Sequence, residues 1–128
     1  MARFLSPEWL EEASALAARD EGLRRAAADA ELTVQQVVLG DEGELCYCLR
    51  FDHGVVRLTP GPAETPDVVI REGYCTAAAL SRGELTPGEA MARGLVKVSG
   101  DVRVLVSHHD ALPGLGDVFA ALRPTTVY

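Results

Sequence analysis

The nineteen residues from Gly83 to Asp101 carry the densest run of conformational signals in the chain: Gly-Glu-Leu-Thr-Pro-Gly-Glu-Ala-Met-Ala-Arg-Gly-Leu-Val-Lys-Val-Ser-Gly-Asp. Gly83 is placed to end a preceding helix, because glycine takes the left-handed conformation without a Cβ penalty. Thr86 caps a new helix, Pro87 supplies a preset φ at its first position, and Glu89 stands three residues on, where a capping box requires an acid. Gly94 ends that helix after barely two turns. Leu95 to Ser99 reads as a strand, and Gly100-Asp101 as a turn whose aspartate caps the next helix. Any fold for this chain must therefore place helix, helix, strand and helix in quick succession.

The N-terminal third starts as helix. Ser6-Pro7-Glu8 is a helix start, with Trp9, Ala13, Leu16 and Ala17 on one face. A second short helix covers Leu23 to Ala30. From Leu32 the period changes. Leu32 to Leu39 is β-rich with apolar residues at both parities, as suits a central strand covered on both sides or one with a bulge. Gly40 to Gly43 is a hairpin loop. Leu45, Tyr47, Leu49 and Phe51 then share one strand face, with Cys46, Cys48 and Arg50 on the other. Asp52-His53-Gly54 turns the chain into Val55 to Thr59, completing an antiparallel meander. Thr59 to Pro66 holds three prolines and cannot continue the ladder, so it carries the chain to another part of the sheet. Asp67 to Glu72 is a fourth strand and Gly73 to Arg82 a helix. Val102 to Asp110 reads as helical, Leu112-Pro113-Gly114 as a break, and Leu115, Val118, Phe119 and Leu122 as the stripe of an amphipathic helix. Five strands and about six helices result, an α+β chain whose helices pack on one face of the sheet. At 128 residues the size prior gives one domain, 1–128.

Charge narrows the partners. Twelve basic residues stand against nineteen acidic ones, for a net charge of −7, and Arg24-Arg25 is the only basic doublet. Nucleic acid and anionic lipid surfaces need positive potential, so neither is expected as a partner. No run of eighteen or more apolar residues could span a bilayer, and the first residues lack the apolar core of a secretory signal. The C-terminal Thr126-Val127-Tyr128 is not a peroxisomal address. Three cysteines, an odd number, fit reduced thiols in a cytoplasmic protein.

The residues Gly83, Leu85, Pro87, Ala90, Gly94, Gly100, Asp101 and Leu105 follow a pattern that resembles the second half of the sterol carrier protein 2 domain. Asp67-Val68-Val69-Ile70 resembles the aspartate and strand that lead into that half. The resemblance implies a five-stranded, mainly antiparallel sheet under a helical layer, with an apolar tunnel between them. It also implies a carrier of fatty-acyl, sterol-like or phospholipid chains with no catalysis of its own. None of the matched positions is catalytic.

Other constellations are weaker. Cys46-x-Cys48 lacks the spacing of a redox or zinc site, and Cys75, His53, His108 and His109 add no ligand pattern. His108-His109-Asp110 is accounted for by a helix C-terminus, which favours a protonated histidine. No Gly-x-Ser-x-Gly elbow or Gly-rich phosphate loop is present. The sequence thus asks for no catalytic residue, metal or cofactor. Trp9, Leu49, Ile70, Leu80, Met91 and Leu105, with the C-terminal stripe Leu115, Val118, Phe119 and Leu122, are the residues that would line a lipid tunnel. The same residues would otherwise fill a core. The C-terminal stripe, hinged at Leu112-Pro113-Gly114, is expected over the tunnel mouth. Two alternatives stand beside the carrier. One is an interaction module with a filled core that forms a homodimer through its sheet. The other is a small enzyme of unassigned reaction.

Overall fold

The computed structural model describes residues 2–41, 43–107 and 112–128, with the side chains of Leu105, Leu112, Pro113 and Gly114 excepted. In chain order these form β1 (Ala2–Arg3), α1 (Pro7–Arg19), α2 (Glu21–Ala26), β2 (Glu31–Gly40), β3 (Gly43–Asp52), β4 (Val55–Pro60) and β5 (Val68–Gly73). There follow α3 (Tyr74–Arg82), α4 (Pro87–Ala92), β6 (Val96–Gly100), α5 (Val102–Ser107), α6 (Leu112–Leu122), a 3-10 turn (Arg123–Thr125) and β7 (Thr126–Val127). The fold is α+β, a five-stranded sheet with six helices among the described residues.

Local chemistry sets the helix ends. Ser6 accepts from the backbone N–H of Trp9 at 3.2 Å and starts α1, and Asp20 accepts from Leu23 N–H at 3.0 Å and starts α2. Thr86 and Glu89 form the expected capping box on α4. Gly83 ends α3 in the left-handed conformation. The break expected at Leu112-Pro113-Gly114 does not occur. These residues are the first of α6, where a proline loses little because first-turn N–H groups have no intrahelical acceptor. The helix expected over Val102 to Asp110 is described to Ser107. His108, His109 and Asp110 lie outside the described residues.

The sheet order is β4-β3-β2-β5-β6. Three of its pairings are antiparallel, but β2 and β5 run parallel, so the sheet is mixed. The reason is the crossover. From the β4 edge the chain must pass β3 and β2 before it can pair again, and the proline-rich connection makes that passage across the outer face. Gly61 N–H donates to Cys46 O, Cys48 Sγ to Gly61 O, and Ala63 N–H to Gln35 Oε1. Asp67 then pins the start of β5 to β2. Its carboxylate accepts from Thr33 N–H at 2.7 Å, and its own N–H donates to Thr33 O.

Helices cover the inner face. α1 packs on β4, α3 on β2 and β5, and α6 lies across α1, α2 and α3. Ser14 on α1 closes the open edge of β4, its hydroxyl donating to Leu58 O and accepting from Leu58 N–H. This contact blunts the β4 edge at Leu58. The termini are joined by a two-residue parallel pairing of β1 with β7, which sequence periodicity does not reveal. Above it, Phe4 meets Trp9, Tyr74 and Tyr128, and Trp9 stacks on Phe119 with centroids 5.6 Å apart. Trp9 Nε1–H donates to Thr126 Oγ1, which donates in turn to Leu122 O. The C-terminal end of α6 is thereby tied to α1.

Candidate functional site

Strand register sorts the inner face of the sheet into rows about 6.8 Å apart. The first row is Phe51, Leu32 and Val56, and the second Leu58, Leu49, Val34 and Val68. Both are aliphatic or aromatic, and all are buried. The third row brings Tyr47 beside Gln36, followed by Ile70 and Val98. The fourth brings Val38 between Leu45 and Glu72, followed by Val96. The inner face is thus wholly apolar in its first two rows, and polar groups enter only in the last two, where Gln36, Tyr47 and Glu72 stand among apolar neighbours and are 8%, 7% and 7% exposed.

Burial perturbs this end electrically. Glu72 is raised from 4.5 to about 7 by loss of solvent. The Tyr47 phenol is pushed up by burial and, secondarily, by the Glu72 charge. No cation offsets it from the neighbouring strands. Arg71 and Lys97 pair in register and belong to the outer face, where Arg71 reaches Glu44 at 3.6 Å. None of the three polar side chains has a hydrogen-bond partner among the described residues, whereas every fully enclosed side-chain N or O atom there has one. Their polar ends accordingly meet space that a water-sized molecule can reach.

The residues expected to line a tunnel divide. Trp9, Leu49, Leu115, Val118 and Leu122 are buried in one cluster, with Ile70 and Phe119 partly buried against it. Leu80 is half-buried on α3. Met91 is 58% exposed, because α4 turns its neighbour Ala90 inward instead. The Leu105 side chain lies outside the described residues. Sequence reasoning passed over Gln36, Tyr47 and Glu72, although parity gave a signal: Glu72 shares the face of Val68 and Ile70, and Tyr47 that of Leu49 and Phe51.

Two hollows elsewhere are superficial. One, of about 330 Å³, sits against the proline-rich connection at Thr33, Arg50 and Glu64, and the other, of about 420 Å³, lies between α2 and the β3–β4 turn at Arg24, Arg25 and His53. Burial raises both the Cys46 and Cys48 thiols, so neither is poised as a thiolate. Among the described residues, no three His, Cys, Asp or Glu side chains gather as metal ligands, and no helix is long and apolar enough to cross a membrane.

A mixed sheet roofed by helices, with its graded face turned inward, defines an α+β module whose candidate site is its interior. Residues 10–112 match the model of the SCP-2 sterol transfer family, and the chain belongs to that family. Lipid binding or transfer, in general terms, is the role this family and fold support. Solved structures agree on the fold. A crystal structure of sterol carrier protein 2 superposes with a TM-score of 0.78 at 24% identity, covering 91% of this chain and 97% of that one. A conserved hypothetical protein of Thermus thermophilus, described as possibly a sterol carrier protein, gives 0.77 at 24% identity over 93% and 89%. The palmitated sterol carrier protein 2-like 2 of Aedes aegypti gives 0.54 at 20% identity over 83% and 94%. No curated protein sequence matches significantly.

Proposed function

We propose that this protein is a non-catalytic cytoplasmic carrier that holds one lipid chain between its sheet and its helices. Family membership across residues 10–112 carries the reading, and the graded inner face supports it, since an amphiphile has the same polarity from end to end. The chain would lie along Leu49, Ile70 and Leu80 beneath Leu115, Val118 and Leu122, with Trp9 and Phe119 as one wall. Each methylene buried contributes roughly 0.8 kcal/mol before the costs of binding, so affinity would follow chain length. A palmitated relative of the same fold is in keeping with a single acyl chain as cargo. Three free thiols suit a reducing compartment. The alternative of a dimer through the sheet is less favoured. The outer face is crossed by the proline-rich connection and bears Arg50, Arg57, Arg71 and Lys97.

Straight-chain alcohols of increasing length, added to delipidated protein, test this. Melting temperature should climb with length and then level off once the interior is filled. Ligand at about a hundred times its dissociation constant adds about 2.7 kcal/mol. An unchanged melting temperature at every length would remove the carrier reading.

A further inference from the structure

We infer that Gln36, Tyr47 and Glu72 form the head-group end of the lipid site, and that they select a head group that donates hydrogen bonds and carries no negative charge. The inference rests on the carrier reading and adds to it both a location and a preference.

Geometry comes first. All three side chains rise from the inner face within two adjacent rows, and all are more than nine-tenths buried. By strand spacing, Gln36 and Tyr47 are direct neighbours, and the Tyr47 and Glu72 backbones stand about 12 Å apart. The Glu72 charge acts on the Tyr47 phenol, so the two groups belong to one region of the inner face. Buried polar groups are ordinarily partnered. The polar atoms of this trio have no partner among the described residues and none is fully enclosed, so a ligand or water can supply their hydrogen bonds.

The chemistry of the trio sets the preference. Glu72 accepts hydrogen bonds when ionised, Tyr47 donates or accepts, and the Gln36 amide does both. A hydroxyl can donate to the Glu72 carboxylate while accepting from Tyr47 or Gln36. A fatty carboxylate or a phosphate ester has no proton to give and brings a second negative charge beside Glu72. In a poorly solvated interior that repulsion is large, and no cation on β5 or β6 faces inward to relieve it. The preceding rows, Leu49, Val34 and Val68 and then Leu32 and Phe51, continue from the trio as an apolar track for the tail.

The experiment separates this inference from the carrier reading by using a probe without a head group. A fluorescent pyrenyl alkane is bound to delipidated protein and displaced by hexadecanol or by hexadecanoate at mildly alkaline pH. Wild type should bind hexadecanol at least about tenfold more tightly than hexadecanoate. Glu72→Gln should bring hexadecanoate close to hexadecanol, and Tyr47→Phe should weaken hexadecanol alone, each read as the ratio of the two competitors within one variant. Both replacements are nearly isosteric, and a melting curve establishes that each variant is folded. If the alkane binds but the two competitors are equal in wild type, or the preference survives in both variants, the trio is not the head-group site and the carrier reading stands. If the alkane does not bind wild type, both fall together.

Discussion

Replacing Glu72 with Gln should stabilise the protein, and by an amount that depends on pH. Glu72 is 7% exposed as a residue, and burial raises its carboxyl from 4.5 to about 7. The folded state therefore binds this proton more tightly than the unfolded state does. Between those two values the folded protein holds more protons, so its stability falls as pH rises through that window and stays low above it. A displacement of two to three units corresponds to about 3 kcal/mol once Glu72 is fully ionised. Glu72→Gln keeps the shape and removes the charge. Chemical denaturation at about pH 5 should show the variant and wild type within about 1 kcal/mol of each other, and at about pH 8.5 the variant should be more stable by about 2–3 kcal/mol. For a chain of this length that difference corresponds to roughly 10 °C in melting temperature. A variant no more stable than wild type at the higher pH would refute the reasoning. So would a gain of equal size at both pH values, because burial of an ionised group would then not be its cause.

Gly100 and Gly94 both have positive φ, 96° and 69°, but an added Cβ at Gly100 would meet Asp67 O at 2.5 Å while one at Gly94 would meet nothing. Thermal denaturation should give at least about 2 kcal/mol of loss for Gly100→Ala and about 1 kcal/mol for Gly94→Ala. Ser14→Ala removes both bonds to the β4 edge and should cost about 1–2 kcal/mol, with faster amide exchange at Leu58. Leu122 is 4% exposed and sits where α6 is tied to α1, so Leu122→Ala should cost about 3 kcal/mol in denaturant titration, as a closing helix of the core would and a loosely held lid would not. Joint replacement of Cys46, Cys48 and Cys75 by Ser should leave pyrenyl alkane binding within about twofold, with any loss confined to stability through the buried Cys48.

Signals written within a few residues of one another were legible in the sequence. Thr86 with Glu89, the positive φ of Gly83, Gly94 and Gly100, and the inward facing of Tyr47, Leu49 and Phe51 each depend on local backbone chemistry, although Leu45 is exposed and Cys48 buried against that alternation. Contacts between distant segments were not. Nothing near Ala2 signals that it will pair with Thr126, and nothing in β2 signals that its second partner will run parallel. That direction is decided by where the proline-rich connection lands. The candidate site shows the same division. The burial of Trp9, Leu49, Leu115, Val118 and Leu122 followed from helical and strand spacing, whereas Met91, on six-residue α4, faces solvent. The polar end was missed because Arg71-Glu72-Gly73 looks like a solvated strand end, although register with Val38 and Val96 carries Glu72 inside.

Native mass spectrometry of the protein as first purified, before any lipid is removed, tests the carrier role most directly. A carrier should retain a population one lipid mass heavier than the bare chain, and that mass should vanish on delipidation and return when a long-chain alcohol is added. Bare chain alone, before and after incubation with such an alcohol, would contradict it.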